Sequence, residues 1–589
     1  MDDDSSRELV VSLQIFAKEG MELYDVVQLL VDGTLFDLYT LNNDPAAQYV
    51  SSREEKVAKN SLSTSRQIQE WIRTCEAGHS RKSSKCEKFV DTYLPDRCIE
   101  IAPKDSLSDP KLVETKGKKG RYIALSYCWG EAQYNPLQTK ESNYKQHQEG
   151  IPFNSLSLTI QDAIQATRQF GVQYLWVDAI CIIQDSNSDK DAQIGQMRAI
   201  FENAFITILA ATAVNASEGF LAMPKPKPIQ FKIPYFCPNG EVGTLYCVKA
   251  EHKKLKDQPI NRRAWTLEER LLSRRKVIYL SDHVTWECDS VSLADSGDIS
   301  NMHDDDLRLP DHIRKGVMFA TPGWLEWTVH TEWVKNVAWY TKRELTRSGD
   351  KLRAIGGIAN KYHTVMEDQY LAGLWRSYIP PGLLWRRLVT TDDDVLHHRP
   401  VVYRAPSWSW ASVDGEIEYD WPERMDGSLE CTRLGHKESI ARVVEVEVIE
   451  AGIRLAKADR PFGAVTGGFI EVSGMVRVIE GLLQPVYHEE KGNLLRLDIE
   501  GDLKRLQDVD CWPDTTEVLP KKLWLLALTG AAEDVGDDCV STFTIFVIRG
   551  LILVPDRESG FRRVGFYESK TAYYEVLISG FEKQRIILH

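Results

Sequence analysis

Between residues 121 and 212 the apolar residues switch repeatedly between the spacing of a strand and that of a helix, and this constrains the fold more than any other feature. "RYIALSYCW" is a short apolar run that reads as a strand. "TIQDAIQATRQFG" then places Ile160, Ala163, Ile164 and Phe170 on one helical face, with Thr159 as N-cap, Asp162 three residues later and Gly171 as the stop. "YLWVDAICII" (174–183) is apolar enough to be a central strand covered on both faces. After the polar "QDSNSDKD", Ile194, Met197, Ile200, Phe201 and Ala204 form a second helical stripe, and "FITILAAT" reads as a third buried strand. Strand, helix, strand, helix, strand is the signature of a parallel sheet wrapped by helices. The expectation is an α/β core.

A chain of 589 residues exceeds one ordinary hydrophobic core. The organisation expected is a mostly helical region at 1–120, where Ile68, Trp71 and Ile72 share a helix face, and the α/β domain at 121–290. A helical region follows at 291–430, and a β-rich domain at 431–589. The net charge of −14 argues against nucleic acid as the main partner. The acidic "MDDDSSRELVV" does not resemble a signal peptide, and "AFITILAATAV" is too short to span a bilayer. The eleven cysteines are too dispersed for a disulfide scaffold, so reduced thiols and a cytoplasmic location are expected.

Two strand ends carry unusual residues, and a doubly wound sheet binds ligands beyond the carboxyl ends of its strands. The first holds Ser126, Cys128, Trp129 and Gly130; the second holds Asp178, Cys181, Gln184 and Asp185. A carboxylate within an apolar strand needs a partner, and Arg262, Arg263, Arg270, Arg274 and Arg275 are the available cations. Asp178 therefore either locks the sheet to a later helix or faces a ligand. A nucleophilic Ser126 or Cys128 is disfavoured, because "SYCWG" lacks the G-x-S-x-G elbow and no histidine has a partner context. In "WTLEERLLSRR" only one of Glu268 and Glu269 can face a shared site, while Glu269 and Arg270 could equally form an exposed helix face. Cys75, His79, Cys86 and Cys98 are zinc-binding residue types. Their spacing, C-x3-H-x6-C-x11-C, has no tight C-x2-C knuckle, and no metal site or cofactor is assigned. P-loop, dinucleotide G-x-G-x-x-G and H-E-x-x-H motifs are not found.

"YIALSYCWG", the block from "TIQDAIQATRQFG" to "NASEGF", and "RAWTLEERLLSRRKVIYLSDHVTWEC" resemble, in family order, the three blocks of the heterokaryon-incompatibility (HET) domain of filamentous fungi. "LTRSGDKLRAIGGIA", "AGLWRSYIPPGLLW" and "RAPSWSWASVDGEI" resemble the region that commonly follows it. The resemblance implies a TIR/flavodoxin-like parallel sheet core and a role in self/non-self recognition that ends in regulated cell death. Some TIR-like modules cleave NAD. Here Glu268 replaces the family's usual Gln, and the helical segment 191–204 offers Gln193 and Glu202 with no carboxylate in register for that chemistry.

The expected function is an effector working through protein partners or self-association. The alternative is an NAD glycohydrolase with NAD as substrate. For that alternative, Glu269 and Asp178 would be catalytic, and Ser126, Trp129, Gly130, Gln184, Asp185 and Arg270 would bind ligand. Ser126, Trp129, Asp178 and Glu269 would then line one cavity.

Overall fold

The computed structural model describes residues 11–16, 26–31, 34–50, 52–53, 62–79, 86, 88–102, 108–221, 230–249, 255–281, 283–295, 297–298, 308–316, 324–388, 399–419, 446–488, 492–499, 508–535, 543–556, 560–571 and 578–589. They fall into two units, Met1–Arg308 and Leu309–His589.

The centre of the first unit is a nine-stranded sheet. In chain order its strands are β1 (Arg97–Glu100), β2 (Lys111–Glu114), β3 (Tyr122–Ser126), β4 (Tyr174–Trp176) and β5 (Ile206–Ala210). They continue with β6 (Lys276–Tyr279), β7 (Val284–Glu287), β8 (Ser292–Ala294) and β9 (Gly297–Asp298). Across the sheet they lie in the order β9-β8-β7-β6-β5-β3-β4-β1-β2. The middle strands β6, β5, β3 and β4 are mutually parallel, with Ala124 opposite Trp176, Leu125 opposite Ile208 and Ile208 opposite Val277. The flanking strands pair antiparallel. Every residue of β3, β5 and β6 is buried, as expected for strands covered on both faces. Tyr122, Ile123, Leu175, Trp176, Ile206 and Val277 are all enclosed, each contributing about 1.5–3 kcal/mol by leaving water.

Among these parallel strands the first in sequence lies between the second and the third. The chain leaves β3 toward one edge and later returns to build toward the other. The ends of β3 and β5 therefore mark a topological switch point, the position at which open α/β sheets generally bind ligands.

Helix α1 (Leu62–Glu76) lies against α2 (Leu158–Phe170), with Ser65 Oγ donating to Gln169 Oε1 at 2.7 Å and Gln69 Nε2 to the Gln169 carbonyl at 2.7 Å. Gly171 ends α2 with φ +73°, the left-handed conformation a helix stop uses. The N-cap position is Ser157, not Thr159.

The run 174–183 is not one strand. It leaves the sheet after Trp176 and forms a single turn, α3 (Asp178–Cys181). Short apolar runs do not distinguish strand from helix by period, and here Arg97 Nε holds the turn by donating to the Cys181 carbonyl at 2.8 Å. The following stripe is likewise divided, into α4 (Asn187–Ile194) and α5 (Met197–Asn203), around Gly195 and Gln196.

Residues 1–120 are less helical than expected. Besides α1 they contain strands Val11–Phe16, Val26–Val31 and Thr34–Tyr39, which join Gln230–Phe236 and Val242–Lys249 in a five-stranded sheet. Val31 pairs with Thr34, and the intervening Asp32-Gly33 is a hairpin signal in the sequence.

The second unit combines helices such as Trp324–Thr341 and Gly356–Met366 with an eight-stranded, almost wholly antiparallel sheet. Its spine is the 24-residue strand Val465–His488, which pairs along its length with 447–455, 582–588, 522–535 and 492–499. "RAPSWSWAS" packs Trp408 and Trp410 fully inside. The Gly373 carbonyl accepts the indole N–H of both Trp410 and Trp333 at 3.1 Å. Arg563 and Asp514, both fully enclosed, form an ion pair at 3.1 Å, and the guanidinium lies 3.3 Å from the Trp385 ring centroid.

Candidate functional site

Three sequence blocks meet at the carboxyl ends of the parallel strands. The loop leaving β3 supplies Tyr127, Cys128, Trp129 and Gly130; the end of β4 supplies Asp178; the approach to helix α6 (Trp265–Leu272) supplies Arg263. Trp129 Nε1 donates to both carboxylate oxygens of Asp178, at 2.9 and 3.2 Å. The Ala179 amide donates to the same carboxylate at 2.7 Å. Arg263 donates to the Tyr127 carbonyl at 2.6 Å and lies over the Trp129 ring, 5.9 Å from its centroid.

Asp178 was expected to pair with an arginine. Instead its carboxylate is held by an indole and a backbone amide, with no arginine in ion-pair contact among the described residues. Leaving β4 at Trp176 puts Asp178 at the start of a helical turn, where its own neighbour's amide is the nearest donor. Burial pushes the Asp178 pKa up, opposed by the nearby Arg263 charge and by the hydrogen bonds it accepts. The Tyr127 hydroxyl is enclosed beside it without reaching hydrogen-bonding geometry. Its pKa is driven well up by burial and then by the Asp178 charge, with a smaller push from Glu269.

Glu269 belongs to this neighbourhood through its field on Tyr127 and Cys128. Helix α6 has no exposed charged face: Glu268 is 3% exposed, Glu269 5% and Arg270 3%. Arg270 is drawn away from the strand ends to Glu287, at 3.8 Å, a carboxylate that also takes Lys276 at 3.5 Å. Ser126 is fully buried at the end of β3, and its hydroxyl makes no hydrogen bond among the described residues.

Gln184 braces α3, donating to the carbonyls of Asp178 at 2.9 Å and Ile182 at 3.3 Å. Asp185 is exposed and accepts from the Glu141 amide at 2.9 Å. The cysteines at the strand ends are core residues: burial raises the Cys128 thiol to about 11 and that of Cys181 to about 12. Cys98 is enclosed in β1, near Cys181 and Thr115.

Gly130 has φ +87°, and a Cβ there would lie 2.3 Å from that of Asn215, in the loop after β5. The two loops flanking the switch point are thus in direct contact, joined also by the Ala216 amide donating to the Trp129 carbonyl at 3.1 Å. Asp162, expected in a capping box, accepts the amides of Phe220 at 2.6 Å and Leu221 at 2.9 Å. Gly219, at φ +71°, brings that loop close enough, and "SEGF" was the available signal. Asp189 in "NSDKD" accepts from Arg97, whose Nη2 donates to both carboxylate oxygens, at 2.6 and 2.7 Å.

These features define a mixed α/β domain whose strand-end polar residues are tied largely to one another. The family described as heterokaryon incompatibility protein (HET) matches residues 122–269, which contain this cluster. A HET domain of the filamentous-fungal kind thus matches residues 122–269 of the chain. Over 106 residues it is 34% identical to heterokaryon incompatibility protein 6, OR allele, of Neurospora crassa, a stretch covering 16% of this chain and 15% of that protein. No solved structure matches the chain. Among the described residues no helix is long and apolar enough to cross a membrane.

Proposed function

We propose that this chain is a cytoplasmic effector of heterokaryon incompatibility that acts through protein association and drives incompatibility-type cell death. The observation that carries the reading is the internal engagement of the carboxylates. Both oxygens of Asp178 accept protein donors, and Glu269 is enclosed in a helix buried on all sides. A glycohydrolase needs a carboxylate presented to the ribosyl carbon as positive charge develops there. An outer strand supports association: Gln230–Phe236 edges the five-stranded sheet, and Phe231, Phe236 and the adjoining Val242 are 59%, 78% and 57% exposed.

The NAD glycohydrolase is the second reading, favoured by one observation. The parallel strands run in the order 2-1-3-4 of flavodoxin-like sheets, as a TIR-like core would, and Trp129, Tyr127 and Asp178 stand beside the switch point. Purified full chain incubated with NAD separates the two. Association predicts no nicotinamide release, and loss of cell death in a fungal host when Phe231 and Phe236 are both changed to Ser. Nicotinamide release abolished by Glu269→Gln, with an unchanged melting temperature, would replace it with the enzyme.

A further inference from the structure

Four soft ligands converge beside the sheet, away from the strand-end cluster. The Sγ atoms of Cys75, Cys86 and Cys288 and a ring nitrogen of His79 all lie within 4.8 Å of one another. Only the first three residues of the irregular sequence spacing belong to this group. The fourth is Cys288, more than two hundred residues further along, because β7 ends beside the C-terminus of α1.

Local structure builds each position. Cys75 lies in the last turn of α1. Gly78, at φ +82°, then His79, at φ +52°, turn the chain back on the helix, with the His79 amide donating to the Thr74 carbonyl at 2.9 Å. A non-glycine residue in the left-handed region is uncommon and marks a position held there by its surroundings. Cys288 opens the tight turn from β7 to β8, its amide donating to the Val291 carbonyl at 3.0 Å. From that turn Ser290 Oγ accepts the Cys86 amide at 3.0 Å, so the two cysteines are fixed to each other.

The spacing suits one small tetrahedral ion. With zinc–sulfur bonds of about 2.3 Å and zinc–nitrogen bonds of about 2.0–2.1 Å, tetrahedral angles put ligand atoms roughly 3.5–3.8 Å apart. Cys288 Sγ and His79 Nε2 are 3.5 Å apart. Three thiolates with one divalent ion leave a net negative charge. Arg275, itself buried, supplies the opposite sign by donating from Nε to Cys75 Sγ at 3.3 Å. Cysteine and histidine in this ratio favour zinc over the oxygen-seeking cations. All three cysteines are unpaired in the structure.

We propose that Cys75, His79, Cys86 and Cys288 bind one structural zinc ion, which fastens the C-terminus of α1 and Cys86 to the β7–β8 turn. The ion has four protein ligands and no open position, so its role is to hold these segments together.

The test uses the reduced full-length chain, purified without chelator. Elemental analysis should find about one zinc per chain, and cobalt(II) exchanged into the site should give tetrahedral d–d bands with strong thiolate charge transfer. Cys288→Ser should lose the ion, Cys98→Ala should keep it, and Arg275→Gln should weaken affinity by about 10–100-fold. Wild-type protein that carries no zinc and gives no tetrahedral cobalt spectrum would overturn the proposal without reference to any variant. Iron in the place of zinc would do the same, as would a disulfide among the three cysteines in freshly isolated protein. Retention of zinc by Cys288→Ser would remove Cys288 from the ligand set and overturn the site as described.

Discussion

The indole N–H of Trp129 and the carboxylate of Asp178, 49 residues apart in sequence, meet at 2.9 Å where β3 and β4 end. Neighbouring parallel strands bring their carboxyl ends together, so this bond ties the two loops that leave the sheet there. A ligand approaching Asp178 would have to displace the indole or share the carboxylate with it.

Asp178→Ala removes an acceptor from two donors, the Trp129 indole and the Ala179 amide. Leaving buried donors unmatched costs about 1–3 kcal/mol, so the first unit should melt several degrees lower. Asp178→Asn keeps one carbonyl acceptor and should lose less. If the alanine variant melts with the wild type, the bond does not stabilise the fold and Asp178 is free for another task.

At Gly130 the backbone has φ +87° and Asn215 stands where a side chain would go. Gly130→Ala therefore combines left-handed strain with a clash and should destabilise by about 1–3 kcal/mol. Gly150 offers a control, since a Cβ there meets nothing within 4 Å. Equal melting temperatures for the two alanine variants would show that the loops after β3 and β5 separate easily.

Arg563 and Asp514 are both fully enclosed, and Asp514 is also approached by Arg399 at 3.3 Å. Removing one member of a buried ion pair strands the other charge, so Asp514→Ala should cost the second unit about 3–5 kcal/mol in chemical denaturation. Replacing both members with apolar residues, Arg563→Met with Asp514→Leu, should recover part of that loss. A mild effect of Asp514→Ala alone would mean that water reaches Arg563.

Burial, reinforced by the Arg404 charge, lowers the Lys351 pKa from 10.5 to about 7. Between these values the unfolded chain holds more protons than the folded one, so stability rises with pH across that window. The slope is at most about 1.4 kcal/mol per pH unit. Below it the folded state carries the full penalty of a buried cation; above it the penalty is gone. Lys351→Met has no such proton to lose, so the variant's advantage should shrink as pH rises from about 7 to about 10. Parallel melting curves for variant and wild type across that range would contradict the shift.

Where burial imposed a clear pattern, sequence anticipated structure: α2 with its Gly171 stop and the buried strands β3 and β5 lie where the pattern placed them. The α3 turn was hidden because an enclosed helical turn and an enclosed strand are equally apolar. Trp129 and Asp178 were singled out for their chemistry, but residue types did not reveal that their first partner is each other. Arg263 was one cation among five, and only the chain path through Pro259–Arg262 brings it to the Tyr127 carbonyl. Cys288 had no local signal, because its companions lie on the far side of the domain in sequence.

The segment that the family matches, 122–269, contributes only β3, β4 and β5 to the nine-stranded sheet. Cut out alone, it would expose unpaired backbone along β4, where β1 belongs, and along β5, where β6 belongs. What inheritance preserves as a recognisable mark is therefore not a piece that can be transplanted intact. A substitution near residue 98 or residue 277, outside 122–269, would reach the residues within it through the strands paired along its edges.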